Sequence, residues 1–259
     1  MSTGGSPSNR HPLRDTFTRI SALSPHLTVN LGWQEAQLPA AELFIDPSPV
    51  FEDMLGRIRR RYQTNDGALL ASFFMNAYTW PLVSAGMSCV VIESRLPDLH
   101  VEHVAFRLRE DSKITSIAFR PSQWYCLAED PQAHHPRARP LENTRDLQAV
   151  FRSQLEDHLE TVIEYVGEHL PWGKRALWLT AADRCGEALI WLSKHTPATV
   201  LASQDVPLLY EELFSHAASP LKNDLTSLQF QQGGLILERG ACCLTYRLPD
   251  KSYCQSCPI

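Results

Sequence analysis

The sequence lacks the short signatures that mark many hydrolases and cofactor-dependent enzymes. G-x-S-x-G, H-E-x-x-H and E-x-x-H are all absent, which removes a nucleophile elbow and the common histidine–carboxylate metal sites. No G-x-G-x-x-G follows a strand, so a flavin or nicotinamide domain is not expected. A basic excess is missing too. With 24 Lys and Arg against 29 Asp and Glu, the net charge is −5 and the pI about 6.1. No helix-turn-helix or finger pattern occurs, and nucleic acid is not an expected partner. Residues 1–11 are rich in Ser, Gly, Pro and Asn without an apolar stretch; they are not a secretory signal and are expected to fray. Internal repeats are absent.

Charge is also missing from residues 67–92 (GALLASFFMNAYTWPLVSAGMSCVVI), a run of 26 residues long enough to raise the question of a membrane span. Pro81 falls near its middle, and Ser72, Asn76, Thr79, Ser84 and Ser88 dilute its hydrophobicity. The expectation is a buried core helix broken near Pro81, with peripheral membrane contact as the alternative.

The 44% hydrophobic and 20% charged content is that of an ordinary globular protein. Phe51, Met54, Leu55, Ile58 and Tyr62 recur at helical spacing, opposite Arg57, Arg59, Arg60 and Arg61. Val104, Phe106 and Leu108, then Ile117 and Phe119, alternate as two strands joined around Asp111 and Ser112. Residues 128–143 read as a loop, a candidate boundary or flap. Helices are expected over about 145–169, 174–195 and 207–215. Leu228 and Phe230 alternate with polar residues, Gly233-Gly234 offers a two-residue turn, and Leu235 to Leu237 complete a hairpin. The fold class is α+β: a mainly helical body with short antiparallel strands and a C-terminal hairpin.

The cysteines are what this sequence does have. Seven in 259 residues are too sparse for a disulfide scaffold. Cys89, Cys126 and Cys185 are scattered, but Cys242, Cys243, Cys254 and Cys257 fall within the last 18 residues as C-C-x10-C-x2-C. That clustering fits thiolates holding a metal in a reducing compartment. Four thiolates complete a ligand set for zinc or for a [2Fe-2S] cluster, and a redox disulfide is the third option. The adjacent pair leans toward the cluster: neighbouring residues tend to point apart and chelate one ion poorly, whereas two irons spread their ligand positions. Few apolar side chains lie between Leu244 and Ser256, so metal binding is expected to order this segment.

The spacing, with Tyr246-Arg247-Leu248-Pro249 inside it, closely resembles the C-terminal signature of the FhuF family of siderophore-iron reductases. The resemblance implies that Cys242, Cys243, Cys254 and Cys257 hold a [2Fe-2S] cluster. It further implies a cytoplasmic protein, sometimes membrane-associated, that passes one electron to ferric siderophores, chiefly hydroxamates, and so releases Fe(II). Such outer-sphere chemistry needs no acid, base or nucleophile. Electrons would come from an external donor such as a ferredoxin, flavodoxin or reductase. The chain then divides into a flexible N-terminus and lead-in (1–48), a mainly helical FhuF-like substrate domain (49–225) and a cluster segment (226–259).

Arg239, Arg247 and Lys251 flank the thiolates, and Arg247, inside the matched insert, is the candidate for tuning the cluster. Cys185, on an apolar stripe, reads as a buried inert thiol, as do Cys89 and Cys126. His134 and His135 read as a solvated loop pair, and His100 and His103 as surface strand residues. The arginine face of residues 57–61 reads as a solvated helix face that could instead meet lipid or an acidic ferredoxin. Trp80, Trp124 and Tyr125 could wall a siderophore or simply pack in the core. The competing function is a zinc-stabilised binding or scaffold protein with a purely structural tail; a third is a siderophore-biosynthesis relative that keeps a cluster as a sensor.

Overall fold

A computed structural model describes residues 11–254 and 257–258; the remaining N-terminal residues expected to fray lie outside this range. The long uncharged run folds as one helix, α3 (Gly67–Glu93), apolar on nearly every side and buried accordingly. Asp66 starts it, its carboxylate accepting from the Ala68 N–H at 2.9 Å and the Leu69 N–H at 3.3 Å. The helix does not break at Pro81. Proline deletes one i→i−4 bond at a cost of about 3 kcal/mol, and enclosure by α1 (Leu13–Ala22), α2 (Pro49–Tyr62), α4 (Thr144–His169) and α5 (Lys174–His195) outweighs it. No helix among the described residues is long and apolar enough to cross a membrane.

Helices α2, α4 and α5 and the shorter α6 (Val206–Phe214) fall within two residues of their expected positions. The 13–44 stretch, expected as part of a flexible lead-in, is instead structured. Leu13, Phe17 and Ile20 recur at helical spacing in α1 and are buried. They lead into β1 (Thr28–Leu31) and β2 (Leu38–Pro39). These edge a four-stranded sheet ordered β1-β5-β4-β2, with β4 (Val104–Leu108) and β5 (Ile114–Phe119) the expected antiparallel pair and β1 running parallel to β5. A second sheet joins β3 (Arg95–Pro97), β6 (Trp124–Leu127) and β7 (Ala138–Leu141). Strand β7 lies inside the segment expected to be loop. It pairs parallel with β6 as an edge strand, where Pro140 is tolerated.

The C-terminal hairpin forms as expected, from β8 (Ser227–Gln231) and β9 (Gly234–Glu238). Its turn, however, is Gln232-Gly233, with φ of 50° and 78°, and Gly234 already belongs to the strand. Leu228 and Leu237, directly opposite each other, press on α5 at Gly186. A Cβ there would lie 2.8 Å from Leu237 Cδ1 and 3.4 Å from Leu228 Cδ1. Gly186→Val should therefore cost about 1–2 kcal/mol, overpacking outweighing the gain in helix propensity. Urea unfolding would show a lower midpoint at unchanged slope; an unchanged midpoint would mean that the hairpin is not pressed against α5.

Candidate metal centre

The cysteine segment leaves β9 under tight control from α5. Asp183, 3% exposed, accepts hydrogen bonds from the Gly240 N–H (2.9 Å), the Ala241 N–H (3.1 Å) and the Thr226 hydroxyl (2.7 Å). Burial pushes its carboxyl above the usual range, while these donors and the Arg239 charge pull the other way. Gly240 has no room for a side chain, since a Cβ would sit 2.6 Å from Thr226 Oγ1. The two residues before Cys242 are thus fixed in place.

Beyond them, Leu244 and Leu248 are buried with Ala68 and Leu69 at the start of α3. The Ser72 hydroxyl donates to the Cys243 carbonyl at 3.2 Å, and the Leu244 N–H donates to Cys242 Sγ at 3.4 Å. Apolar burial therefore helps to hold the first half of a segment whose few apolar side chains are not expected to fold it by burial alone. The second half closes through a Cys257 N–H to Cys254 carbonyl bond of 3.1 Å, and Tyr253 stacks on Tyr246.

All four cysteines are half-buried free thiols. Cys242 interacts with both Cys257 and Cys243, and Cys254 with both Cys243 and Cys257, so all four thiols are neighbours. Among the described residues, no three or more His, Cys, Asp or Glu side chains converge on a point able to hold one ion. Burial raises the Cys242 and Cys254 thiols, each neighbour thiol adding to the effect. Burial also opposes ionisation of Cys243, but hydrogen bonds with Thr245 and Cys254 and the charge of Arg239 bring it below the usual thiol value.

Residues 239–258 match the family model of the FhuF 2Fe-2S C-terminal domain. Over these residues the tail is similar to an FhuF-type [2Fe-2S] segment. No curated protein matches the chain in sequence. Among solved structures, it is similar to the petrobactin biosynthesis protein AsbB from Bacillus anthracis str. Sterne, at 11% identity and a TM-score of 0.48. That likeness covers 74% of this chain and 36% of AsbB, so the chain spans about a third of that protein's length.

The donor set of the FhuF-type tail fits its cofactor. A [2Fe-2S] group takes four thiolates, two on each iron, and the four neighbouring thiols supply that number. Cations stand beside it. Arg184 and Arg239 both pair with Glu187, and Arg184 is close enough to Cys243 for the charges to interact. The Nε of each arginine is buried without a hydrogen-bond partner among the described residues. Donors left unpaired beside four thiols suit a site that carries negative charge when filled.

Of the cations named from sequence, Arg239 acts on Cys243 and Cys254, whereas Arg247 pairs with Asp66 at 2.8 Å. Arg184, Glu187 and Asp183 escaped the sequence reading. Their signal was present: D-R-x-x-E charges interrupt the apolar stripe of α5 around Cys185. Cys89 and Cys185 are fully buried and burial raises both thiols, while Cys126 is pushed up to about 11. Trp124 is core, and Trp80 packs edge-on against Trp191. His103 ends a 3-10 turn rather than lying on a strand, its Nδ1 2.9 Å from Asp98. His135 packs towards His11 and Trp124. On α2, Arg57 pairs with Asp53 and Arg59 with Glu52.

Changing any one of Cys242, Cys243, Cys254 or Cys257 to Ser should lose or badly destabilise the visible chromophore. Cys185→Ser should keep it, at about 1 kcal/mol of stability for imperfect polar burial. Bleaching by Cys185→Ser but not by Cys242→Ser would overturn the ligand assignment.

Voltammetry on the holo-protein should rank the arginines. A cation favours the more negative reduced state, so its removal lowers the potential. At about 1 kcal/mol for a partly buried charge, and about 59 mV per tenfold change, Arg239→Gln should fall by tens of millivolts. Arg247→Gln should fall less, because Asp66 balances that charge one to one, whereas Arg239 shares Glu187 with Arg184 and acts on Cys243 and Cys254. An equal or larger drop for Arg247→Gln would reverse the ranking.

Proposed function

We propose that the protein is a ferric-siderophore reductase, delivering one electron to the Fe(III) of a hydroxamate-type chelate in the cytoplasm. The observation that carries this reading is the match of the tail to the FhuF 2Fe-2S domain, with its four neighbouring, half-buried thiols. When bound, the [2Fe-2S] group supplies one-electron chemistry. The chain's own residues contribute position and charge. Asp183 fixes the approach to Cys242, Leu244 and Leu248 seat the loop on α3, and Arg184 and Arg239 offset the thiolate charge.

The reaction balances simply. The chelate gains one electron as Fe(III) becomes Fe(II), and an external donor such as a ferredoxin, flavodoxin or reductase loses one. Hard hydroxamate oxygens hold Fe(II) far less tightly than Fe(III), so reduction is release. No proton transfer is required, which agrees with the absence of acid–base motifs in the sequence. Half-burial suits the task, because a thiolate cage sealed in the core would lie too far from a bulky substrate. Contact with the inner membrane would be peripheral and is no part of the chemistry.

Anaerobically purified protein should contain about two iron and two acid-labile sulfide per chain. It should be silent in electron paramagnetic resonance when oxidised and give a spin-half signal after dithionite. Mixing the reduced protein with a ferric trihydroxamate should release trappable Fe(II) in proportion to the cluster reoxidised. A sample that holds its cluster yet stays reduced in the presence of the chelate would sink the reductase reading and leave the iron-sulfur assignment intact.

A further inference from the structure

A cleft of about 880 Å³ opens beside the cysteines. One wall is β9, from Leu235 to Arg239. Another is the C-terminal half of α5, with Glu187, Ile190 and Lys194, and Cys257 and Pro258 close one end. Strand β9 pairs only with β8, so its outer backbone edge has no strand partner among the described residues. Ile236 is 45% exposed on that strand. The result is a concave surface with mixed polar and apolar walls, a strand edge without a strand partner, and a cluster thiol at one end.

We propose that this cleft seats the iron chelate, with Lys194 and the edge of β9 as its polar contacts. The assignment rests on the reductase reading and adds where the substrate binds. Size is the first argument. The volume lies near the top of the ~300–1,000 Å³ range of small-molecule sites, suited to a hexadentate chelate and generous for a small metabolite. Charge is the second. The carboxylates of the lining are already engaged, Glu187 by Arg184 and Arg239 and Glu238 by the Ser227 hydroxyl at 2.8 Å. Lys194 is exposed and has no ion-pair partner among the described residues. Lys194 is therefore a donor free to meet the oxygens of a chelate. Proximity is the third, since a ligand resting against Cys257 is next to the redox group without any movement of the chain.

Gallium(III) has nearly the size of Fe(III) and is not reduced, so it separates binding from electron transfer. The gallium complex of a neutral cyclic trihydroxamate would be titrated into the holo-protein by calorimetry. Lys194→Glu and Ile236→Glu, both at exposed positions, would follow, with the visible spectrum reporting the cluster. The expected result is saturable binding to the wild type that weakens about tenfold or more in each variant at an unchanged spectrum. Gallium binding within twofold of wild type in both variants would place the seat elsewhere and leave the reductase reading standing. The same holds if the ferric complex is reduced while the gallium complex shows no binding. Slower reduction by a protein donor in Lys194→Glu, with gallium binding intact, would make the cleft a donor-docking face and overturn the proposal. Neither binding nor reduction by a cluster-loaded wild type would bring down the reductase reading itself.

Discussion

The buried carboxylate of Asp183 is the constraint on which the site depends. A charged group at 3% exposure is costly unless its oxygens are paired, and here three donors pair them, from Thr226, Gly240 and Ala241. One donor precedes the hairpin and two follow it. A single side chain of α5 therefore closes both ends of β8-β9 and sets the point from which the cysteines start. Gly240 completes the arrangement, because any side chain there would strike Thr226 and Leu179.

From that fixed point the adjacent cysteines acquire different partners. Successive side chains diverge along an extended or irregular backbone, and Cys242 interacts with Cys257 and Cys243 with Cys254, all four thiols being neighbours. The C-x2-C turn can answer both because its own hydrogen bond, Cys257 N–H to the Cys254 carbonyl, holds the two residues a turn apart. The charges of α5 stand behind this grouping. Two arginines share Glu187, and each keeps a buried Nε without a partner. The charge of Arg239 favours thiolates at Cys243 and Cys254, and so favours the filled site.

Periodicity made much of this fold legible in the sequence. Helices α2, α4, α5 and α6 were readable because each has one apolar stripe, and β8-β9 because strand alternation brackets a two-residue turn. The errors have physical causes. Helix α3 continues through Pro81 because helices surround it, which no local propensity can report. Strand β7 has little pattern of its own and exists by pairing with β6. Helix α1 was hidden by its polar neighbours although Leu13, Phe17 and Ile20 carry the spacing. In the site, the ligands were legible as a motif, but Arg184 and Asp183 lie more than fifty residues upstream of the cysteines and reach them only through the fold.

The cysteine loop is tied to the body through its N-terminal side, and this bears on how it accepts its cofactor. The first half is secured before any metal arrives, by Asp183, by Leu244 and Leu248 on α3, by the Ser72 hydroxyl on the Cys243 carbonyl, and by the Arg247–Asp66 ion pair. Asp66 also caps α3, so this ion pair joins the loop to the end of the longest helix. Further along, Tyr253 stacks on Tyr246 and the Cys257 N–H donates to the Cys254 carbonyl. Metal–thiolate bonding therefore meets a Cys242–Cys243 platform already in position. Preorganising half of the ligand set lowers the conformational entropy lost on binding, and more of the metal–ligand free energy appears as affinity. The arrangement also leaves the exposed half of the site at the molecular surface, where a donor or a chelate must approach.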